Sequence, residues 1–308
     1  MESKNFFIVN PLAGKGRGGK YIRQLQKVLQ SLSIPLTNIL LTEYPGHATE
    51  LVKRIASDEN SIFCVGGDGT VNEIINGIKH GYNLRLGVIP VGSGNDFART
   101  IGNLSKDFSL EKYILSEVSN RCDIGHVAVF KNNELLFSKK FISSLGIGFD
   151  AFVSSKIKLI KILNGLLLYI FSVILSLFAY EAPKSSVKIE GTDVDFTDKV
   201  FLFTVGNTET AGGGFKLNPG AKIDDGYLNV CIARDISKFT LLKVLPKAIT
   251  GDHIFDKRVY SYKFKTLKYS TDEKVFLHLD GEVFELMEGK KEIVISIVPN
   301  SQSIIING

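Results

Sequence analysis

The sequence has 308 residues and a mass of 33.9 kDa, which is enough for two ordinary domains with substantial cores. Hydrophobic residues make up 44% and charged residues 22%, a composition that excludes a chain disordered throughout. The formal net charge of +5 suits phosphate-bearing ligands or an anionic membrane surface. The basic residues form no concentrated run, which argues against nucleic acid as a partner.

The cysteines and the amino terminus bear on the compartment. Cys64, Cys122 and Cys231 are far apart and lie among strand-like residues, so their spacing fits neither a disulfide framework nor a zinc site. We expect free buried thiols in a reducing compartment. The first residues, MESKNFFIVN, lead directly into a strand and lack a signal-peptide pattern, so we expect a cytoplasmic protein.

The first part of the chain alternates short apolar runs with helical patterns. The predicted strands are NFFIVN, TNILLT, SIFCVGG and RLGVIPVG, and the predicted helices between them cover residues 20–32, 48–57 and 71–78. Strands without polar alternation between amphipathic helices are typical of a buried parallel sheet in an α/β domain. Ligands of such sheets bind beyond the carboxyl ends of the strands, where the glycine-rich stretches of this sequence lie.

The second part of the chain has a different texture. Short strand-like runs separated by Gly, Asn and Asp follow one another, among them HVAVF, KVFLFTVGN, GYLNVCIA and KEIVISIV. This pattern predicts an antiparallel β-sandwich or barrel-like domain. The predicted domains are therefore residues 1–125 and 126–289.

One apolar segment interrupts the strand-rich part. Residues 162–180, ILNGLLLYIFSVILSLFAY, are uncharged and nearly long enough to cross a bilayer. Asn164, Ser172 and Ser176 recur along one side at helical spacing, and three lysines precede the segment. These features favour a helix at the membrane interface or beside a lipid cleft, with a purely structural core helix as the alternative.

The third predicted strand ends in the loop VGGDGTVNE. Gly66, Gly67 and Gly69 let the backbone approach a phosphate, and the helix predicted from about Val71 adds its positive dipole end. Asp68 alone would repel phosphate, so it favours a Mg²⁺ ion between the two, with the carboxylate as an oxygen ligand. The alternative is a glycine-rich turn in which Asp68 caps the helix.

Two other stretches share this character. PVGSGNDFAR follows the fourth predicted strand, and its Asn95 and Asp96 are placed to cap a helix. The opening stretch VNPLAGKGRGGKY fits the glycine spacing of a dinucleotide fingerprint, and it fits GxxxxGK except for the final Ser or Thr. The basic residues of this stretch either meet phosphate or are solvated. In the same way, Asn72 and Asn76 either hold the nucleotide or are solvated.

Taken in order, NPLAG, GGDGT followed by NE, PVGSGNDFAR, KIDDGYL and LDGE resemble the diacylglycerol kinase catalytic-domain superfamily, which includes sphingosine and ceramide kinases and soluble bacterial lipid kinases. The resemblance extends over nearly the whole chain. It implies an ATP- and Mg²⁺-dependent lipid kinase with two domains, a nucleotide-binding α/β domain like that of NAD kinase and phosphofructokinase and a C-terminal β-sandwich that supplies the lipid acceptor site. It also implies that the last strand, within residues 290–308, returns to the first domain.

The resemblance assigns roles to particular residues. The nucleotide would be lined by Asn10, Pro11, Leu12, Ala13, Gly14, Thr42, Gly66, Gly67, Asp68, Gly69, Thr70, Val71, Asn72 and Ser93. Asp68 keeps its magnesium role, and Asp123 joins the magnesium and water network. Glu282 is the expected general base, because phosphoryl transfer to an alcohol needs a carboxylate to accept the hydroxyl proton. A second metal site is expected at the carboxylates Asp224 and Asp225, with backbone carbonyls near Lys222 and Tyr227 completing the shell, although IDDGY alone reads as a hairpin turn.

Two other functions compete with a lipid kinase. The first is an NAD kinase-like phosphotransferase with a water-soluble acceptor, which SGNDFAR, IDDGY and the apolar segment argue against. The second is a non-catalytic membrane module that binds nucleotide or lipid, which the retained acids Asp68, Asp225 and Glu282 argue against. For the kinase we expect a lipid substrate and peripheral association with the cytoplasmic membrane face. The identity of the lipid and the formation of a homodimer are left open.

Overall fold

The computed structural model describes residues 5–79, 82, 84–157 and 175–306. The chain divides into two compact units, Met1–Ile124 with Pro299–Gly308, and Gly125–Val298. Most of the apolar segment at 162–180 lies outside the described residues, so the alternatives for it stay open. Among the helices of the described ranges, none is both long enough and apolar enough to span a membrane.

The first unit contains a parallel sheet with helices between its strands. Its strands are β1 Asn5–Val9, β2 Ile39–Leu41, β3 Ser61–Gly66 and β4 Arg85–Pro90, joined by the end of the last strand of the chain, β15 Lys291–Ile305, which belongs to this unit from Pro299 onward. The strands lie in the order β2-β1-β3-β4, and the end of β15 pairs with β4. The helices are α1 Ala13–Ser31, α2 His47–Ile55, α3 Asp68–Gly77, α4 Asp96–Thr100 and α5 Leu110–Leu115, with a 3-10 turn at Leu36–Asn38.

The core of this unit is built from the apolar strands and the inner faces of the helices. Phe7 and Phe63 stack with their ring centroids 5.0 Å apart. Tyr113 of α5 is fully buried, and its hydroxyl donates to the carbonyl of Ile305 at 3.0 Å and accepts from the amide of Val88 at 2.9 Å. A buried phenol needs such partners, and here they connect α5 to two neighbouring strands.

The second unit is a β-sandwich. Its strands are β5 Ser119–Lys131, whose first residues up to Ile124 belong to the first unit, β6 Glu134–Phe141, β7 Ser144–Gly148, β8 Lys184–Ile189, β9 Asp195–Gly206, β10 Leu228–Arg234, β11 Val259–Phe264, β12 Thr266–Thr271, β13 Val275–Leu279 and β14 Glu282–Leu286. All pairs among these strands are antiparallel. The helices are α6 Phe149–Ile157 and α7 Lys238–Val244, and 3-10 turns follow at Leu245–Ile249 and Asp252–Phe255.

Strand β9 belongs to both layers of the sandwich. Its first residues pair with β8, and its last residues pair with β7 and β10. One apolar core, which includes Val187, Phe203, Leu267, Leu277 and Ile293, fills the space between the layers. The predicted fold class, a parallel α/β domain followed by an antiparallel β-sandwich, is confirmed.

Several predicted boundaries differ from the structure. Helix α3 begins at Asp68, before the predicted start near Val71, and α1 begins at Ala13 instead of Lys20. Gly14, Lys15 and Gly16 have positive φ, so regular helical turns of α1 start only after them. The run YSYKFKTLKYS, residues 260–270, has the pattern of a single strand but forms two, β11 and β12, which break at Lys265 and belong to different layers.

The three cysteines are buried free thiols. Burial raises the pKa of the Cys231 thiol to about 12, and it raises the pKa of Cys64 further. A thiol protonated at neutral pH is a poor nucleophile and a poor metal ligand.

Candidate active site

The opening loop lies at the carboxyl end of β1 and contacts the GGDGT loop. The Asn10 side chain donates to the hydroxyl of Thr70 at 3.1 Å and accepts from the amide of Leu12 at 3.0 Å. The amide of Asn10 donates to the carbonyl of Val65 at 3.0 Å. Asn10 therefore fixes the positions of two of the three stretches that the sequence assigns to nucleotide.

Arg17 connects the opening loop to the third stretch. Its guanidinium donates to the carbonyl of Gly14 at 3.1 Å and to the carbonyl of Gly92. Since a planar guanidinium presents several donors in a fixed fork, one side chain can hold both loops. The sequence left open whether the basic residues of this stretch meet phosphate or solvent. For Arg17 the structure gives a third role, because it crosslinks two backbone loops.

The backbone of Gly18 lies close against the backbone of Asn10. A Cβ atom at Gly18 would collide with the carbonyl oxygen of Asn10, whereas one at Gly16 would meet nothing within 4 Å. Only a residue without a Cβ lets α1 pack this closely on the opening loop. Gly18 therefore has a packing role that the spacing of the glycines does not predict.

The GGDGT loop and the PVGSG loop pack directly on each other. A Cβ at Gly67 would lie 3.0 Å from the Cα of Gly92, so the two backbones are in contact. The paired ends of β3 and β4, Gly66 and Pro90, place both loops at one edge of the sheet. Gly69 lies in the first turn of α3, and a Cβ there would meet nothing within 4 Å. At the start of α3 there is therefore free space beside Gly69, whereas the backbone of Gly92 fills the space beside Gly67.

Asp68 lies between these two loops. Its Oδ1 accepts from the amide of Phe97 at 3.2 Å, at the first turn of α4. Burial raises the pKa of the Asp68 carboxyl, and backbone amides of residues 95–97 partly oppose that change. Asp68 thus caps the helix after the other loop, and its own helix α3 has no side-chain cap. The predicted capping of α4 by the side chain of Asn95 is wrong, since this N-cap residue makes no side-chain capping hydrogen bond.

The other residues assigned to nucleotide are distributed around this edge. Thr42 follows β2, and its amide donates to the carbonyl of Val9 at 2.9 Å, so it lies beside the opening loop. Asn72 is buried and accepts from the Asn76 side chain at 3.1 Å, so Asn72 is not solvated. Leu12 and Ser93 are exposed. Within the first unit, the structure brings the nucleotide set to one edge of the sheet, namely Asn10, Pro11, Leu12, Ala13, Gly14, Thr42, Gly66, Gly67, Asp68, Gly69, Thr70, Val71, Asn72 and Ser93.

Asp123 is buried in the first unit, at 1% exposure. Its Oδ1 accepts from the amide of Asn300 at 2.7 Å. Asn300 has a φ of 50°, in the left-handed region, and lies in β15. The carboxylate therefore fixes a bend of β15, a structural task that is compatible with the predicted role in a magnesium and water network.

In the second unit, the predicted general base lies at the start of β14. Asp280 and Gly281 form a two-residue hairpin turn with φ of 46° and 87°, and Leu279 pairs with Glu282 across it. Both oxygens of Glu282 accept from the Lys139 ammonium, at 3.0 and 2.9 Å. The ammonium also lies 4.7 Å from the centroid of the Phe284 ring. Lys139 is a residue of the site that no local motif indicates.

Asp280 anchors this hairpin turn. It is 6% exposed, and its carboxylate accepts from the amides of Ile142, Ser143 and Ser144 at 2.9, 2.9 and 2.8 Å. Three amide donors satisfy much of the hydrogen-bonding capacity of this buried carboxylate. The turn that carries Glu282 is thereby fixed to the segment between β6 and β7. The Asp-Gly pair in LDGE was the available signal for it.

A buried ion pair lies on the same hairpin. His278 Nε2 is 2.8 Å from Asp150 Oδ2, with side-chain exposures of 5% and 9%. Burial lowers the pKa of His278, but the charge and hydrogen bond of Asp150 and the charge of Asp280 outweigh it, so the net direction is upward. Asp150 lies in the first turn of α6. The pair therefore connects the hairpin to the helix that precedes the apolar segment.

At the predicted second-domain metal site, a lysine side chain lies beside Asp225. Asp225 Oδ2 accepts from the Lys263 ammonium at 2.6 Å, and Oδ1 accepts from the amide of Tyr227 at 3.1 Å. Lys222 and Asp224 are exposed. Lys263 supplies the positive charge beside Asp225 in this structure, and a metal ion at this position stays a prediction. The Asp225–Tyr227 hydrogen bond closes a turn just before β10. Because β9 already ends at Gly206, this turn does not join two adjacent strands, and the hairpin-turn interpretation of IDDGY is wrong.

Across residues 5–79, 82, 84–157 and 175–306, no three His, Cys, Asp or Glu side chains lie close enough together to hold an ion. A magnesium ion bound with phosphates needs only one or two carboxylates from the protein. Asp68 can provide one, and the side-chain oxygen of Asn95, buried without a hydrogen-bond partner beside Gly92, is a second hard oxygen donor at the same loops.

Comparison with known families assigns both parts of the chain. Residues 4–127 match the family described as the diacylglycerol kinase catalytic domain. Residues 143–306 match the family described as the YegS C-terminal NAD kinase beta sandwich-like domain. The two matches cover the α/β unit and the β-sandwich, in the order that the sequence predicted.

Similar proteins of known sequence and structure agree with this. A diacylglycerol kinase of Bacillus subtilis (strain 168) is 30% identical over 292 residues, which cover 92% of this chain and 91% of that protein. A diacylglycerol kinase of Staphylococcus carnosus (strain TM300) is 29% identical, with 92% and 89% covered. The crystal structure of a diacylglycerol kinase from Bacillus anthracis (strain Sterne) matches the fold with a TM-score of 0.71 at 23% identity, over 99% of this chain and 97% of that one.

NAD kinases are more distant. Yeast NADH kinase aligns with a TM-score of 0.55 at 11% identity, over 100% of this chain and 84% of that one, a likeness of fold alone. The identity to the Bacillus subtilis enzyme is much higher, at 30% over nearly the whole of both chains. The family matches and the motifs at the loop edge lead to one conclusion: the chain belongs to the diacylglycerol kinase family of phosphotransferases.

Proposed function

We propose that this protein transfers the γ-phosphoryl group of ATP, with Mg²⁺, to a hydroxyl of diacylglycerol or a closely related lipid. The observation that carries the proposal is the pair of glycine-rich loops at the ends of β3 and β4, which contact each other with Asp68 between them. Family membership supports ATP as the phosphoryl donor. The named substrates of the relatives support the acceptor class.

The nucleotide would bind at the loop edge. The amides at the start of α3 and its positive dipole end favour phosphate there. Gly69 leaves open space beside them, whereas Gly67 is closed off by Gly92. Asn10 and Arg17 hold the three loops in one arrangement, so the amide donors are organised before the nucleotide binds.

Magnesium would be held by Asp68, with Asn95 as a neighbouring oxygen donor. When bound, the ion would neutralise charge on the transferred phosphoryl group. The raised pKa of Asp68 fits a carboxyl that is stabilised by a cation when it ionises. Backbone amides of residues 95–97 also favour the ionised form of Asp68.

The acceptor hydroxyl would lose its proton to Glu282. The carboxylate is partly exposed, and the hairpin turn at Asp280 fixes its backbone. Lys139 holds both of its oxygens, which orients the carboxylate and supplies a positive charge beside it. A lipid acceptor further implies peripheral association with the cytoplasmic membrane face, on the side where ATP is present.

The test is transfer of labelled phosphate from ATP to a panel of diacylglycerol, phosphatidylglycerol, sphingoid bases, undecaprenol and NAD, with products separated by chromatography. We expect labelled phosphatidic acid, no product with NAD, and loss of product when magnesium is chelated. Labelling of NAD alone, or of no acceptor, would contradict the proposal. E282Q should lower kcat by about 10²–10⁴-fold if Glu282 is the base.

The nucleotide position has its own test in Gly69→Ala. Since a Cβ at Gly69 meets nothing within 4 Å, the variant should fold like the wild type. If phosphate lies against this turn, the added methyl will raise the KM for ATP by about tenfold or more through steric exclusion. The matched control is Gly191→Asn, also in open space but in the second unit, between β8 and β9, and with φ of 77°, which Asn tolerates. Equal KM values in Gly69→Ala and the wild type would move the phosphate elsewhere.

A further inference from the structure

An unexplained feature of the second unit is the number of large apolar side chains that it exposes in one segment. Phe239 is 75% exposed and Phe255 is 80% exposed. Ile249, between them, is 50% exposed. Isolated exposed apolar residues are ordinary, but several from consecutive turns of one segment point to an interaction site.

The segment is anchored by its opposite side. In α7, Leu241 and Val244 are buried in a core cluster that also contains Leu177, while Phe239 and Leu242 are exposed. The two 3-10 turns that follow repeat the pattern, since Ala248 and His253 are buried while Ile249 and Phe255 are exposed. The exposed side chains are therefore held outward by a packed inner side.

Residues 175–179, which are helical, extend the surface. The Lys238 ammonium donates to the carbonyl of Phe178 at 3.0 Å, so this turn lies beside the start of α7. Phe178 is 61% exposed and Leu175 is 52% exposed, whereas Leu177 is buried. We call the exposed set the apolar face; it consists of Leu175, Phe178, Phe239, Leu242, Ile249 and Phe255.

The charges around the apolar face have one predominant sign. Residues 238–258 contain five basic residues, Lys238, Lys243, Lys247, Lys257 and Arg258, and two acidic ones, Asp252 and Asp256. Asp256 is ion-paired with Arg258 at 2.9 Å. Lys243, Lys247 and Lys257 are exposed. Exposed aromatic and aliphatic side chains surrounded by lysines complement a bilayer that contains anionic lipid.

We propose that the apolar face docks on a membrane surface containing anionic phospholipid. A second copy of the chain is the less favourable occupant, because a symmetric interface would bring the lysines of one copy close to those of the other. The case for docking rests on exposure and charge, and its purpose rests on the proposed function, which gives the enzyme an acceptor located in a bilayer.

The test is co-sedimentation of the full chain with vesicles of phosphatidylcholine, with and without phosphatidylglycerol. We expect binding to the anionic vesicles that weakens with added salt. The double variant F239S/F255S should lose about tenfold or more in partitioning for each phenylalanine that enters the bilayer. K243Q/K247Q should lose about fivefold per lysine on anionic vesicles and nothing on neutral ones. The control L135S/L136S removes two exposed leucines of β6, at 56% and 50% exposure, and should bind like the wild type.

Several outcomes overturn the proposal. They are no binding by the wild type, equal binding by F239S/F255S and the wild type, or a dimer in solution that F239S/F255S converts to a monomer. Activity on a short-chain diacylglycerol dissolved as monomers separates docking from catalysis, since F239S/F255S should retain it. If no variant phosphorylates any lipid but the vesicle results hold, the docking surface stands and the acceptor assignment fails.

Discussion

Replacing Asp280 tests how the turn that carries Glu282 is held. The carboxylate accepts from three buried amides, those of Ile142, Ser143 and Ser144. Each amide left without an acceptor costs about 1–3 kcal/mol. Partial relaxation will recover some of this, so we expect Asp280→Ala to lower the free energy of unfolding by about 3–5 kcal/mol.

Two further variants at Asp280 separate the loss of hydrogen-bond acceptors from backbone strain. Asp280 has a φ of 46°, which Gly and Asn adopt readily and Ala does not. Asp280→Gly therefore removes the acceptors without backbone strain, and it should cost nearly as much as Asp280→Ala. Asp280→Asn keeps Oδ1 as acceptor for Ser143 and Ser144 and loses only the bond from Ile142, so it should cost about 1–3 kcal/mol.

The measurement is urea unfolding followed by far-UV circular dichroism, because the sequence contains no Trp. Hydrogen exchange of the peptide that covers residues 140–146 reports the three amides directly. Asp195→Asn is the control, since Asp195 forms a surface ion pair with Lys188 and should cost less than about 1 kcal/mol. An Asp280→Ala variant within about 1 kcal/mol of the wild type, with unchanged exchange, would refute the reasoning.

Three further predictions follow from the charges of the two units. Because burial raises the pKa of Asp68, its ionised form lowers the stability of the fold at neutral pH. Asp68→Asn should therefore unfold at the same or a higher temperature than the wild type while its turnover falls by orders of magnitude, and a large loss of thermal stability would contradict this. Lys139→Met should lower kcat about tenfold with the KM for ATP unchanged, and Lys139→Arg should retain most of the activity, because the cation orients Glu282; steady-state kinetics of both decide. Because the pKa of His278 is raised, its pair with Asp150 stabilises the fold below about pH 6.5, and this contribution is lost as the pH rises through the folded-state pKa. Asp150→Asn should therefore lower the urea concentration at the unfolding midpoint more at acidic than at alkaline pH.

Much of the nucleotide half could be predicted from local sequence. Apolar strands, helical periodicity and glycine-rich loops are short-range signals, and parallel strands necessarily bring their carboxyl ends to one edge. The residues from Gly66 to Thr70 and the opening loop lie at that edge. The misplaced start of α3 has a physical reason as well, since Asp68 and Gly69 are poor interior helix residues but are accepted in a first turn.

The second unit was less predictable. No local pattern predicts the structure of residues 238–255, because their apolar residues alternate between a buried side and an exposed one over short turns of different pitch. Exposed phenylalanines give the same hydropathy signal as buried ones. Only the packed core around Leu241 and Val244 shows which side of the segment remains in contact with solvent.

By itself the sequence determined the fold class, the order of the two domains and the loops expected to hold phosphate, since these depend on periodicity and on glycine positions close together in the chain. The tertiary structure alone decided which partners the functional side chains have. Lys139 and Glu282 are 143 residues apart, and Asp280 reaches amides 136–138 residues away. Such contacts depend on strand register and on the path of β9 between layers, which no local pattern encodes.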